Sequence, residues 1–557
     1  MYHRPFLMRN LKNIQLVLTF ILGIMVTQAQ KQEALDVNIQ FYQNIKMSDG
    51  VHLSSNIYSP TDTSKKYPVV LIITPYVSDE NHERGLFFAR NGYIFMTVDC
   101  RGRGNSEGEF IPFEYDGKDG YDIIDWIAKQ PWSNGKVGMF GGSYRGMNQW
   151  LTLKQLPKNL KTIIPIASVG PGRDFPKYNN IFSIYPMRWL TFTSGKTRNS
   201  KTFNDDYWKV KREKFYYSGL PYATYDSIVG LPNTTFQKWV QHPSHDSYWK
   251  SFYLTPTENQ SIDIPILSIT GHFDADQVGA LLYYQDHMTH GTADAKKNHY
   301  LIIGPWSHGG TRYPTKELGG LSFGDNAIID MNQLYLDWFD WTLKNKTKPA
   351  LLKDRVLYYE MGTNEWKYAT NLDAVSNTKK VIYLSSMTST ATDVFSAGQL
   401  LDAPIDEDHT PDKIQYTPSA HTGIDYPIYP DNFLTQCVTD NPEALVFHSD
   451  PFDDEVTING KISVEAYLSL NVEDTDLMYS VYEITKDNTT IFLQQDFVRA
   501  RYRNGLATHK RVPKDEIQKE SRIRLMISFI DSPDFQRNFN YLGVSIVSTY
   551  RKMNILG

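Results

Sequence analysis

Three short stretches carry residues whose types suit acyl chemistry. Residues 138–150 read GMFGGSYRGMNQW, with Ser143 set among Gly141, Gly142 and Gly146. An apolar strand followed at once by a helix-compatible stretch forces a tight turn, which needs small neighbours and leaves the serine hydroxyl exposed above the sheet. A serine hydroxyl is a weak nucleophile near neutral pH, so it requires a base and a group that orients the base. On such a turn the partners follow in the order acid, then histidine, each just past a strand end. GHFDADQ (271–277) offers Asp274 and Asp276, and GPWSHGG (304–310) offers His308. An oxyanion also needs donors. The amide of Tyr144 is one. The loop after residues 67–74 opens Thr-Pro-Tyr and holds no HGGG-type run, so the hydroxyl of Tyr76 is the expected second donor.

These residues presuppose a sheet whose strand ends meet at one rim. YPVVLIIT (67–74), GYIFMTVD (92–99), KVGMFG, KTIIPIAS, IPILSITG and HYLIIGP are continuous apolar runs, as expected of strands covered on both faces. Helical stretches alternate with them, among them DGYDIIDWIAKQ (119–130), whose Ile123, Ile124 and Ile127 share a side. The pattern predicts an α/β fold with a doubly wound, mostly parallel sheet of α/β-hydrolase type. Upstream, Asp49-Gly50 marks a hairpin. Roughly 90 aromatic-rich residues separate the strands at 161–168 and 264–271, and an insertion of that size is expected to form a helical cap. From residue 351 onward, short alternating strands separated by Asp/Asn/Gly turns predict an all-β domain of jelly-roll type.

The motifs DGVHLSSNIYSP, TPY, DCRGRGNSEGEF, GGSYRGMNQW, GHFDAD, GPWSHGG and RARYRNG, in that order, resemble those of the X-Pro dipeptidyl-peptidase family of serine hydrolases, which also holds cocaine esterase, the α-amino-acid ester hydrolases and glutaryl acylases. The resemblance covers nearly the whole chain after its leader. It implies a nucleophile at Ser143, an acid at Asp274, a base at His308, and oxyanion donors in the Tyr76 hydroxyl and the Tyr144 amide. The glycine one place later than in the common G-x-S-x-G elbow is then the family's own pattern.

Substrate choice is less legible. The α-amino-acid ester hydrolases hold the substrate ammonium with a carboxylate cluster, two members lying just after the catalytic acid. Here that stretch reads Asp274-Ala275-Asp276-Gln277, so Asp276 is retained, and Asp174 in GPGRDF is the candidate third carboxylate, with Arg173 beside it. The alternative for Asp276 is a helix cap. Tyr178, Phe182, Tyr185 and Trp189 of the cap are candidates for an acyl pocket or for cap core. X-Pro dipeptidyl-peptidase activity is an alternative, although no N-terminal helical domain fits between residues 30 and 60. A carbohydrate-binding role for the C-terminal domain is a second alternative.

The composition sets outer bounds. At 557 residues, with 41% hydrophobic and 21% charged residues, the chain is an ordinary globular protein of more than one domain. A formal charge of −5 gives no basic face for nucleic acid. Arg4, Arg9 and Lys12 precede a 13-residue apolar run, IQLVLTFILGIMV (14–26), and then TQAQ. That run is shorter than the ~20 residues of a membrane span and reads as an export leader. The expected organisation is a signal peptide over 1–29, a catalytic domain over 30–350 with its cap at about 171–261, and a β domain over 351–557. Export to the periplasm or the medium is expected, without stable membrane association. The two cysteines, Cys100 and Cys437, imply no disulfide framework. His242 and His245 lack an evident third ligand, and DSPDFQRNFN (531–540) reads as a turn. No metal or organic cofactor is expected. The partners are small esters, amides or short peptides, with homo-oligomerisation left open.

Overall fold

The computed structural model describes residues 35–404 except Asn377, and then 412–416, 435–437, 444–470, 474–502, 511–517, 522–529 and 544–556. The expected leader at 1–29 and the turn at 531–540 lie outside these residues, as do the side chain of Cys437 and the last residues of RARYRNG.

A ten-stranded sheet organises the first part of the chain. Its strands are β1 (Val37–Lys46), β2 (His52–Pro60), β3 (Tyr67–Thr74), β4 (Ile94–Asp99), β5 (Ser133–Gly142), β6 (Leu160–Ile166), β7 (Ile266–Phe273), β8 (His299–Ser307), β9 (Val356–Glu360) and β10 (Glu365–Ala369). The order is β1-β2-β4-β3-β5-β6-β7-β8-β9-β10. Pairing from β4 through β9 is parallel. The β1–β2 hairpin at one edge and β10 at the other are antiparallel. Parallel strands all end at the same rim, so the loops after β3, β5, β7 and β8 open side by side.

Both faces are covered, which is why the central strands carry apolar residues on both sides along most of their length. On one face Ile123, Ile124 and Ile127 of α2 (Asp116–Ala128) join Met147 and Trp150 of α3 (Tyr144–Lys154) in a buried cluster. On the other, Phe88 of α1 (His82–Arg90) packs with Phe140 of β5 and with Tyr335, Trp338 and Phe339 of α5 (Met331–Lys344). Between β6 and β7 the chain leaves the sheet and forms short helices, including Tyr185–Phe192, Asp205–Ser218 and Thr234–Val240. These are the expected cap.

The boundary expected at 350/351 falls inside the first sheet. Val356–Glu360 pairs in parallel with β8, Leu301 opposite Val356 and Ile303 opposite Tyr358. All five of its residues are buried, so this segment serves as a core strand that covers what would otherwise be the edge at β8. The remaining chain is mostly strand, among them Lys379–Ser385, Ala444–His448, Asp476–Ile484 and Thr489–Arg499, around a core of Leu384, Phe447, Val481 and Leu493.

This β domain touches the first domain near the rim. Asn179 of the cap donates from Nδ2 to Asp496 Oδ1 (2.9 Å) and to the Phe497 carbonyl (2.7 Å). Phe492 packs in one cluster with Phe273, the last residue of β7.

Beneath the sheet a buried histidine pair ties α4 (Gln277–His290) to the start of β8. His287 Nδ1 lies 2.8 Å from His299 Nδ1, and His299 Nε2 lies 2.9 Å from Ser268 Oγ. Burial lowers His287 to about 4 and holds His299 well below the usual imidazole range. The folded state therefore favours the neutral rings. Their contribution is complete above the unfolded value near 6.5 and is lost as pH falls toward 4. Urea denaturation across pH 7 to 4 is expected to show stability falling by up to about 1.4 kcal/mol per pH unit for each ring, with a smaller slope in His287→Leu.

Candidate active site

Ser143 is the residue between β5 and α3, with φ 66° and ψ −127°. A non-glycine residue held there costs on the order of 1–3 kcal/mol. Its amide donates to the Ile166 carbonyl (2.9 Å), and its own carbonyl accepts from the amides of Gly146 (2.8 Å) and Met147 (3.1 Å). The glycines answer to close packing. A Cβ on Gly141 would stand 2.6 Å from the Cβ of Arg145, and one on Gly146 would stand 2.7 Å from both the Ile166 carbonyl oxygen and Ser168 Oγ. The shifted glycine is thus required where α3 crosses the end of β6.

Tyr76 follows β3. Its hydroxyl accepts from Trp189 Nε1 (3.2 Å), and the Ser143 side chain lies near enough to favour its ionised form. The next residue, Val77, is β-branched with φ 74°, a further local strain beside the site. Arg103 of the DCRGRG stretch is fully buried and clamps this loop to the cap, donating to the carbonyls of Pro75 (2.7 Å) and Thr197 (2.8 Å). Tyr144 opens α3, where an amide has no intrahelical acceptor. Its hydroxyl donates to Asp116 Oδ2 (2.5 Å) and accepts from the Phe113 amide (3.0 Å). Burial pushes Asp116 up to about 7. Trp189 stacks on Tyr144, with ring centres 5.5 Å apart, so one indole positions both tyrosines.

His308 lies just after β8, and its Nδ1 is 2.8 Å from Asp274 Oδ1. Asp274 has 0% exposure. Its carboxyl also accepts from Thr270 Oγ1 (2.8 Å) and from the Asp276 amide (3.0 Å). Burial pushes this group up, but the hydrogen bond and charge of His308 outweigh it and hold Asp274 below the usual carboxylate range. An ionised carboxylate only accepts, so Nδ1 carries the proton and Nε2 keeps the lone pair. The loop then turns back toward the serine. Arg312, four residues on, covers Gly142, where an added Cβ would meet Nη1 at 2.5 Å.

The structure brings Asp276 and Asp174 to the same place. Asp276 sits at the N-cap position of α4 but makes no side-chain cap bond, so the capping alternative fails. Its Oδ2 instead lies 3.6 Å from His308 Nδ1. Burial, together with the charges of Asp174 and Asp274, raises it well above the usual range. Asp174 accepts from the amides of Gly170 (2.7 Å) and Gly279 (2.6 Å), and burial raises it to about 7. No ion pair joins it to Arg173 among the described residues.

Of the four cap aromatics singled out in the sequence, Trp189 hydrogen-bonds to a site residue, Tyr76. Tyr178 packs on Phe497 (4.6 Å), Phe182 on Tyr222 (5.5 Å) and Tyr185 on Phe175 (6.1 Å). His242 Nδ1 bonds Asp246 Oδ2 (2.7 Å), and His245 packs against Tyr253. Arg312, Arg145 and Asp116 are the site neighbours that sequence reasoning missed. A charged residue four places past His308 was the available signal for the first.

Fold and site together define a serine hydrolase on an α/β-hydrolase scaffold. Residues 49–310 match the family model for X-Pro dipeptidyl-peptidase (S15 family), and residues 352–526 match the X-Pro dipeptidyl-peptidase C-terminal non-catalytic domain. The chain belongs to this family. It is 25% identical to the cocaine esterase of Rhodococcus sp. (strain MB1 Bresler) over 549 residues, covering 90% of this chain and 92% of that protein. Two solved structures share the fold across 95% of this chain and 97% of their own, each with a TM-score of 0.76. One is an α-amino acid ester hydrolase, at 20% identity, and the other an aminopeptidase from the marine sediment archaeon Thaumarchaeota archaeon, at 19%.

Replacing Gly146 by Ala is expected to cost about 1–3 kcal/mol in urea denaturation, because backbone at Ile166 must yield. Gly142→Ala, which meets only the flexible end of Arg312, is expected to cost less.

Proposed function

We propose that this chain is an exported serine hydrolase that cleaves esters or amides of small acyl groups, α-amino acyl groups among them. Ser143 is the nucleophile, His308 the base and Asp274 the group that orients it. His308 Nε2 takes the hydroxyl proton as Ser143 attacks the carbonyl. Asp274 fixes the tautomer and stabilises the imidazolium. The Tyr76 hydroxyl and the Tyr144 amide donate to the oxyanion. His308 then protonates the leaving group, and water, activated by the same imidazole, releases the acid from the acyl-enzyme.

The observation that carries this reading is the 2.8 Å bond from His308 Nδ1 to a carboxylate with no solvent access. Burying a carboxylate is costly unless a partner compensates it, and its bond to Nδ1 leaves Nε2 of the imidazole as the nitrogen that can take a proton. The ammonium reading rests on Asp276 and Asp174, two acids that burial raises and that form no ion pair with a Lys or Arg among the described residues. A cationic amine between them would favour their ionised forms. The names of the α-amino acid ester hydrolase and the aminopeptidase agree with such a substrate. Export rests on the leader pattern over residues 1–29.

Ser143→Ala is expected to abolish hydrolysis of an aryl ester while circular dichroism stays unchanged, and His308→Ala to lose at least about 10³-fold in kcat. Full activity in the serine variant refutes the proposal. Asp276→Asn is expected to lower kcat/KM for an α-amino acyl ester by about 10- to 100-fold relative to its des-amino analogue. An unchanged ratio removes the ammonium role.

A further inference from the structure

Two buried arginines elsewhere in this chain are paired with carboxylates. Arg101 holds Asp119 (3.1 Å from Nε, 2.5 Å from Nη2) and Asp49 (2.9 Å). Arg499 holds Asp476 through Nε and Nη2 at 2.8 and 2.9 Å. The two arginines beside Ser143 are different. The guanidinium of Arg312 has no hydrogen bond or ion pair among the described residues, and its Nη1 is buried. Arg145 is 12% exposed, with a buried and unpartnered Nε. Among the described residues only Glu80 comes within ion-pair distance of it, at 3.9 Å, and Glu80 is already bonded to Arg198. A third buried group without a partner, the Tyr335 hydroxyl, lies within the field of both arginines and of Arg84.

This cluster faces the reacting centre. The Arg312 side chain covers Gly142, next to the serine. Arg145 Cζ lies 5.4 Å from the centre of the Tyr76 ring. The charge of Arg312 acts on both Tyr76 and Asp276. Two like charges held together in a low-dielectric rim repel, and an anion between them relieves the repulsion. A planar guanidinium fork is matched to a carboxylate, which it binds by two parallel hydrogen bonds.

We propose that Arg312 and Arg145 form a carboxylate-binding subsite beside Ser143, so that the preferred ester or amide carries a free carboxylate. The inference rests on Ser143 as the nucleophile. With Asp276 and Asp174 also near His308, acidic and basic groups share the rim, and a zwitterionic substrate would meet both.

Two matched pairs of esters test it, one for each side of the scissile bond. 4-Acetoxybenzoate against its methyl ester places the carboxylate on the leaving group. Phenyl hydrogen glutarate against methyl phenyl glutarate places it on the acyl group. The expected result is a kcat/KM at least about tenfold higher for the anion in one arm. That advantage shrinks as ionic strength rises. It falls toward unity in Arg312→Gln and in Arg145→Gln, and is partly restored in Arg312→Lys. Free benzoate or glutarate is expected to inhibit the wild-type protein competitively. Equal rates within both pairs in the wild-type protein overturn the subsite alone, as does an anion preference that both glutamine variants retain. If none of the four esters is hydrolysed, the reading of Ser143 fails and the subsite falls with it.

Discussion

A carboxylate with no access to water stands at the end of β7, and much of the rim is arranged around it. Asp274 stays ionised only because an imidazole, a threonine hydroxyl and a backbone amide converge on its two oxygens. Those donors come from β8's exit loop, from β7 itself and from the start of α4. Loss of any one would leave a buried charge under-compensated, a large penalty in a low-dielectric interior. The same set of bonds fixes which way His308 faces.

The neighbouring strand ends are held by different means. Ser143 keeps an unfavourable backbone geometry because Ile166 accepts its amide hydrogen and glycines clear the space around it. Tyr76 is kept in place from outside the sheet, through the indole of Trp189 and the buried guanidinium of Arg103. The cap therefore does more than cover the rim. It supplies a hydrogen bond to Tyr76 and a stacking surface for Tyr144. The β domain adds a second buttress, with Phe492 packed beside Phe273 and Asn179 bonded to the strand that carries Asp496 and Phe497. A site built from loops is thus braced on three sides, as precise positioning of reacting groups requires.

How far the sequence reveals this depends on the range of the interaction. The elbow at Ser143 was legible because its constraints are local: a strand, two glycines before the serine and one after it, then a helix. The strands were legible because burial on both faces demands apolar runs such as YPVVLIIT. Val356–Glu360 falls in the stretch that matches the C-terminal domain, yet it pairs with the first sheet. Its composition fits either sheet, and only pairing with β8 decides between them. Asp276 was ambiguous between a helix cap and a site carboxylate, since both readings place an acid just before α4. The absent cap bond resolves it. Arg145 gave no pattern and Arg312 only its position four places past His308, because an arginine's significance here lies in the missing partner.

By itself, then, the sequence determined the fold class, the tight turn that presents Ser143, and the order in which acid and base follow it. Each of these is written in contacts a few residues long or in the two-sided burial of a strand. The tertiary structure decided which carboxylate meets the imidazole, which tyrosine hydroxyl reaches the serine, and which charges near it go unpaired. Residues 76, 143, 274 and 308 are separated by long stretches of chain, and the order of strands across the sheet, rather than spacing along the chain, sets the distances between them.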